Sequence, residues 1–390
     1  MKEKKSIKNK ILHIITGLNT GGAEMMLYKI ISDIDRAAVA VEVISLLNIG
    51  AVGRKIQDLG VPVHALGMRR GVPNPLYILR LARRLREDPP NCIQTWMYHA
   101  DLIGGLAAKL AGSIPVTWGI RHSNLDPQGT KRTTLWAAKA CARLSRRLPA
   151  RIVCCSEASR RVHTELGYAA DKMVVIPNGF DLAVFKPDPK ARLDVRQELG
   201  IPEEGLLIGL IGRFAPQKDH YNFVCAAAHL NACLPNIHFL LCGAGVTREN
   251  PELIKWISDA GILSQCHLLG EREDMPRLTA SLDIATSSSY SEGFPNVIGE
   301  AMACGVPCVV TDAGDSALIA GKTGKVVPPK DPRALSEGWL ELLKMNAEGR
   351  KRLGWAARQR IEEHFSLPSI VNKYNALYKE VAGMKIIGQR

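Results

Sequence analysis

Short, largely apolar runs alternate with stretches of helical period along the whole chain. In the first half such runs lie at residues 11–16, 41–46, 61–65, 92–96, 116–120 and 151–156. Between them the spacing predicts helices from Ala23-Glu24, near 52–59 and over 101–111. The same pattern restarts at residues 206–211 and continues at 237–241, 266–269, 284–287 and 307–311, with a helix from His220. Strands of this kind, apolar at nearly every position and separated by helices, belong to a parallel sheet covered on both faces. The stretch "VIPNGFDLAVFKPDP" at 175–189 is rich in Pro, Asn, Gly and Asp and reads as a linker. A chain of 390 residues also exceeds the size at which one core stops growing. The expectation is two doubly wound α/β domains facing each other across a cleft, with ligands outside the carboxyl ends of the strands.

Charge changes this picture. Residues 1–180 hold 27 Lys and Arg against 13 Asp and Glu, whereas residues 181–390 hold 24 against 25. One half carries the entire excess of +13, so that half is expected to face something anionic. Nucleic acid is disfavoured, because aromatic residues make up only 5% and no recognition motif is present. No apolar stretch reaches the roughly 18 residues of a membrane span. The basic start, Lys2-Glu3-Lys4-Lys5, is followed by an apolar run only at 11–15, too short for a signal peptide, so the expected location is the cytoplasm. The ten cysteines form no C-x-x-C pair and mostly sit in apolar contexts, which reads as buried thiols in a reducing compartment.

Three loops carry candidate chemistry. "GLNTGGAE" at 17–24 joins a strand to a helix, and glycines there let backbone N–H groups approach an anion beside the helix N-terminus. Its spacing is not G-x-G-x-x-G, and the second strand does not end in the acid that would hold a ribose, so nicotinamide binding is set aside. "IGRFAPQKDH" at 211–220 puts Arg213 and Lys218 on one loop, a pattern able to clamp a diphosphate. "SEGFPNVIGEAMACGVP" at 291–307 sets Glu292 before a helix and Glu300 inside it, in a tightly packed segment where acids need hydroxyl, amide or cationic partners.

The stretch E-G-F-P-N-V-x-x-E-A-M-A-C-G-V-P resembles the E-x7-E signature of the family-4 retaining glycosyltransferases, which have the GT-B fold. The likeness runs along nearly the whole chain, through G-G-A-E at 21–24, I-P-N-G-F-D at 176–181, G-R-x-x-P-Q-K-D at 212–219, L-L-G-x-R-x-D-M at 268–275 and G-K-T-G-K-V-V-P-P at 321–329. It implies transfer of a sugar from a nucleotide diphosphate donor, with retained anomeric configuration and no metal or other cofactor. It further implies that Glu292 contacts the donor sugar, Glu300 the ribose, and Arg213 and Lys218 the diphosphate, with Gly21 and Gly22 closing over it. Gly243, Arg272, Gly293, Phe294, Pro295, Asn296 and Val297 complete the implied donor site. His99 is the implied histidine near the donor sugar, against the plainer reading of a helix cap. His122 and Arg121 are candidates for acceptor binding. The implied domains are residues 1–180 for the acceptor, 181–368 for the donor, and a helix at 369–390 packing back on the first domain.

The acceptor expectation uses the charge asymmetry. Residues 131–148 read as a helix on which Arg132, Lys139, Arg143, Arg146 and Arg147 form one stripe around Trp136, opposite Ala137, Cys141, Leu144 and Leu148. Arg80, Arg83, Arg84 and Arg86 form a second cluster. Trp among cations suits an anionic membrane surface, although a solvated basic face is the simpler alternative. The reading is a peripheral enzyme on the cytoplasmic face of a bacterial inner membrane, moving a hexose or HexNAc, from UDP by family weight, to a lipid-linked or lipopolysaccharide-type acceptor. A non-hydrolysing UDP-sugar epimerase of the same fold and a non-catalytic basic surface-binding protein are the alternatives.

Overall fold

The computed structural model describes residues 9–69, 75–125, 130–202, 204–234 and 236–383; the basic stretch at 2–5 lies outside them. The chain forms two compact units, Met1–Gly179 with Leu367–Arg390, and Phe180–Ser366.

The first unit holds β1 (Asn9–Ile15), α1 (Gly22–Asp33), β2 (Val39–Ser45), α2 (Gly50–Asp58), β3 (Val63–Ala65), α3 (Leu76–Glu87) and β4 (Cys92–Trp96). It continues through α4 (Tyr98–Leu110), β5 (Val116–Ile120), α5 (Arg132–Leu144), β6 (Arg151–Cys154), α6 (Glu157–Glu165) and β7 (Met173–Val175). All pairings are parallel, in the order β3-β2-β1-β4-β5-β6-β7. Because β1 lies between β2 and β4, the winding reverses there, and the helices divide between the two faces.

The second unit holds α7 (Pro189–Leu199), β8 (Leu206–Ile211), α8 (His220–Asn231), β9 (Ile237–Cys242), α9 (Pro251–Asp259), β10 (Cys266–Leu268), α10 (Met275–Ala280) and β11 (Ile284–Ser287). It ends with α11 (Asn296–Ala303), β12 (Cys308–Thr311), α12 (Ser316–Ala320), β13 (Gly324–Val327), α13 (Pro332–Lys344) and α14 (Ala347–Phe365); α15 (Leu367–Ala382) returns to the first unit. Its six parallel strands run β10-β9-β8-β11-β12-β13.

The apolar runs are strands because both sides of them are covered. In the first unit one core joins β1 and β2 to α1, α2 and the α15 side chains Ile370, Tyr374 and Tyr378. The other joins β4 and β5 to α3, α4 and α5. In the second unit Phe223, Phe239 and Trp339 meet edge-on or tilted in the core that α8 and α13 build on the sheet. Helix starts follow local chemistry. Asp188-Pro189, Asn250-Pro251 and Asp331-Pro332 each place a capping carbonyl or carboxylate on the N–H three residues on, with proline at the first helical position.

Two strands escape the hydrophobic pattern. β7 and β13 are edge strands of three and four residues, each with only one buried position; the short apolar run at 173–176 passes straight into the linker-like stretch, and Gly324-Lys325 opens β13 without an apolar residue. The helix expected over 101–111 begins earlier, at Tyr98, and the one expected over 131–148 stops at Leu144.

Candidate functional site

In the second unit, the loops that leave the carboxyl ends of β8, β9, β11 and β12 gather the motif residues. The β8 loop is pinned to the β9 loop: Gly212 N–H donates to Cys242 C=O at 2.8 Å and Phe214 N–H to Ala244 C=O at 2.7 Å. Gly243 sits at φ 150° against the Gly212 carbonyl, where a side chain would collide. Gly243 thus shapes the loop that carries Arg213 and Lys218.

The β8 and β11 loops are zipped together. Ser288 Oγ donates to Lys218 C=O at 2.8 Å, and Tyr290 N–H to Gln217 C=O at 3.0 Å. Lys218 Nζ then lies 2.6 Å from Glu292 Oε1, and Ser289 Oγ donates to the same oxygen at 2.7 Å. Lys218 and Glu292 retain 19% and 13% side-chain exposure, so this is a partly desolvated, hydrogen-bonded ion pair rather than a surface contact. From the β12 side, Asp315 N–H donates to Gly293 C=O at 3.0 Å, and Gly314 (φ 61°) has room for no side chain against the Glu292 and Gly293 carbonyls. The sequence reading missed Ser288, Ser289, Gly314 and Asp315. The serine run after an apolar strand was the available signal.

Glu300 sits one turn into α11, half-buried, and Arg213 is exposed on its loop. Pro295 is the residue before α11 rather than inside it, and Asn296 and Val297 begin the helix. Phe294 is buried, stacked on Phe180 and tilted against Phe365, so its ring packs in the core of this unit. Arg272 is engaged within its own surface: it bonds both Asp274 oxygens at 2.8 Å and Glu198 at 2.9 Å, while Arg277 reaches the same two acids. These contacts hold the Asp274 carboxylate well below its ordinary range. Arg272 therefore ties the start of α10 to α7.

In the first unit, Gly21 precedes α1 with extended backbone, and the Glu24 carboxylate folds back against it. Burial raises the Glu24 pKa. Gly22 is exposed. His99 lies on the first turn of α4, half-buried, and burial lowers its pKa. The adjacent Tyr98 ring stacks on His122 at 6.3 Å and on His163 at 5.6 Å, and its hydroxyl is 2.7 Å from His163 Nε2. Ser159 Oγ donates to His122 C=O at 2.6 Å. His122 itself is exposed at the carboxyl end of β5. Arg121 lies 4.4 Å over the Trp96 ring, with one nitrogen 3.0 Å from Asn178 Oδ1 and another 2.5 Å from the Tyr374 hydroxyl. Its guanidinium holds α15 to the sheet.

The basic stripe on α5 is exposed as expected at Arg132, Trp136, Lys139 and Arg143, with Ala137 and Cys141 buried beneath. Because α5 ends at Leu144, Arg146 and Arg147 belong to the turn that follows. The second cluster is partly neutralised. Arg84 pairs with Glu42 at 2.5 Å, Arg83 with Glu87 at 2.8 Å, and Arg86 donates to Leu110 C=O at 2.6 Å.

A family profile described as Glycosyl transferases group 1 matches residues 191–360, and one described as Glycosyltransferase Family 4 matches residues 20–184. EpsF of Bacillus subtilis strain 168, a glycosyltransferase by name, is 29% identical over 326 residues, 81% of this chain and 82% of that protein. The UDP-Gal:alpha-D-GlcNAc-diphosphoundecaprenol alpha-1,3-galactosyltransferase of Escherichia coli is 26% identical over 250 residues, 62% of this chain and 63% of that enzyme. Among solved structures, Anabaena Alr3699/HepE in complex with UDP superposes with a TM-score of 0.82 at 24% identity, over 95% of this chain and all of that one. WaaG, a glycosyltransferase involved in lipopolysaccharide biosynthesis, gives 0.72 at 17% identity, over 96% of this chain and all of that one.

Proposed function

Because the chain belongs to the family-4, group 1 glycosyltransferases of the GT-B fold, we propose that it transfers a hexose or HexNAc from a UDP-sugar, with retention, to a lipid-linked or lipopolysaccharide-type glycan. The observation that carries this reading is the Lys218–Glu292–Ser289 cluster on loops at the carboxyl ends of β8 and β11. An ammonium has three donors, and Glu292 takes one of them, so Lys218 can hold a phosphate oxygen while it fixes the carboxylate. Glu292 then accepts from hydroxyls of the donor sugar, and Glu300 accepts from the ribose. Arg213 and Lys218 stabilise the charge that develops on the departing diphosphate, the task a divalent ion performs elsewhere. The leaving phosphate takes the proton of the acceptor hydroxyl on the same face of the sugar. His99 and His122 serve the sugar and acceptor side from the first unit. The UDP bound by HepE supports the choice of nucleotide, and the diphosphoundecaprenol substrate of the E. coli relative supports a lipid-linked acceptor.

Glu292→Gln separates the two halves of donor recognition. Turnover of the UDP-sugar is expected to fall while UDP binds nearly as before, read by calorimetry beside UDP-release kinetics. Equal loss of UDP affinity would move Glu292 onto the nucleotide.

The lipid-linked acceptor implies work at a membrane surface, although no helix among the described residues is long and apolar enough to cross one. The exposed Trp136 among Arg132, Lys139 and Arg143 supports peripheral binding to an anionic leaflet, each cation near it contributing about 1 kcal/mol. Co-sedimentation is expected with vesicles containing phosphatidylglycerol, weakened by salt and by Arg143, Arg146 and Arg147→Glu. Indifference to lipid charge would point to a water-soluble acceptor.

A further inference from the structure

The β4–β5 pairing is unusually short for strands of this length. Register partners run only from Ile93↔Val116 to Gln94↔Thr117, although β4 continues two residues further and β5 three. Where the regular ladder stops, side chains take it over. Gln94 Nε2 donates to Thr95 C=O at 2.8 Å and to Thr117 C=O at 3.3 Å, and Thr117 Oγ1 donates to Gln94 Oε1 at 2.8 Å. Asp101, from the first turn of α4, reaches back into the gap. Its Oδ1 accepts from Thr95 Oγ1 at 2.5 Å and from Gly119 N–H at 3.1 Å. Gln94, Thr95, Asp101 and Thr117 are all fully or almost fully buried.

This network ends on a strained turn. Met97 stands between β4 and α4 at φ 72° and ψ 154°, a conformation that costs a non-glycine residue of order 1–3 kcal/mol. Gly119 holds it in place, accepting from Met97 N–H at 2.9 Å through its carbonyl while its own N–H goes to Asp101. A side chain at Gly119 would meet Thr95 O at 2.5 Å, so only glycine lets β5 come this near. Asp101 N–H in turn donates to Met97 C=O at 2.9 Å. Asp101 and Gly119 thus grip the turn from both sides, and His99 lies between the two gripped residues, Met97 and Asp101.

We propose that Asp101 is a positioning residue: through Gly119 and Thr95 it holds the strained Met97 turn and thereby sets where His99 presents its imidazole. The inference deepens the functional reading above, which gives His99 a place near the donor sugar. A neutral carboxyl suffices for the task, since only acceptor character is needed at Oδ1. Consistent with that, burial pushes the Asp101 pKa up to about 8, the hydrogen bonds from Thr95 and Gly119 and the charge of Arg121 opposing it.

Histidine titration followed by NMR on the full chain tests this without a substrate, with His99→Gln identifying the signal. Asp101→Asn keeps the acceptor oxygen and is expected to leave the His99 midpoint in place. Asp101→Leu removes it; the turn relaxes, the imidazole gains water, and the midpoint is expected to rise by about 0.5 pH unit or more, towards the ordinary histidine value. Should Asp101→Leu fail to fold, Thr95→Val removes one of the two donors and is expected to move the signal in the same direction. An unmoved His99 midpoint in the folded acceptor-less variant overturns the inference. UDP release from UDP-glucose or UDP-galactose with a bacterial lipid extract tests the functional reading separately. Parental turnover by His99→Gln would remove His99 from the reaction and leave the titration result standing.

Discussion

Alanine at Lys218 or at Glu300 is expected to weaken donor binding or turnover by about 2–4 kcal/mol in each case, roughly 30- to 700-fold. For Lys218 the loss has two sources. On the proposed reading the diphosphate loses a cation, and Glu292 loses its ion-pair partner in a site where its side chain is 13% exposed. Losing the counter-charge of a partly desolvated carboxylate is the costly half of breaking such a pair. For Glu300 the expected loss is that of the carboxylate proposed to accept from the ribose hydroxyls. Steady-state kinetics on folded variants reads both, and parental kinetics in either would remove that residue from the donor site.

The largest stability effect is expected at Asp283, away from the chemistry. Its Oδ2 accepts from Arg196 at 2.6 Å and from Leu207 N–H at 2.8 Å, and its Oδ1 from Arg192 at 2.8 Å. Arg196 is 2% exposed, and it also donates to the Ser281 and Gly205 carbonyls. Asp283→Ala leaves that guanidinium buried without its counter-charge, at a cost of about 3–5 kcal/mol. Denaturant unfolding should show the loss in the transition of the second unit. A change under about 1 kcal/mol would mean that water reaches Arg196 and repairs the site.

The fold was legible because a parallel sheet buried on both faces writes each inner strand as an apolar run. Residues 92–96, 116–120, 206–211 and 284–287 are strands at the bounds the pattern gives. β7 and β13 were not legible, since the short run at 173–176 passes straight into the linker-like stretch and Gly324-Lys325 opens β13 without an apolar residue. The site was legible in its acids and cations but not in their pairing. Lys218 and Glu292 are 74 positions apart, and only folding shows that they share an oxygen–ammonium contact of 2.6 Å. Arg272 and Phe294 have structural partners that their motifs do not announce. Both stand inside motif segments, yet Glu198, 74 positions away, and the rings of Phe180 and Phe365 occupy them. Asp101 was invisible for a third reason: a carboxylate on a helical first turn looks solvated until the strand ladder behind it is seen to stop.

Calorimetric titration of UDP into the full chain, beside the Lys218→Ala, Glu300→Ala double variant, tests the central claim most directly. Saturable one-to-one binding by the parent, lost in a double variant that unfolds with parental cooperativity, is the predicted result. Equal UDP affinity in the two proteins would contradict a donor site built on the carboxyl-end loops of the second unit.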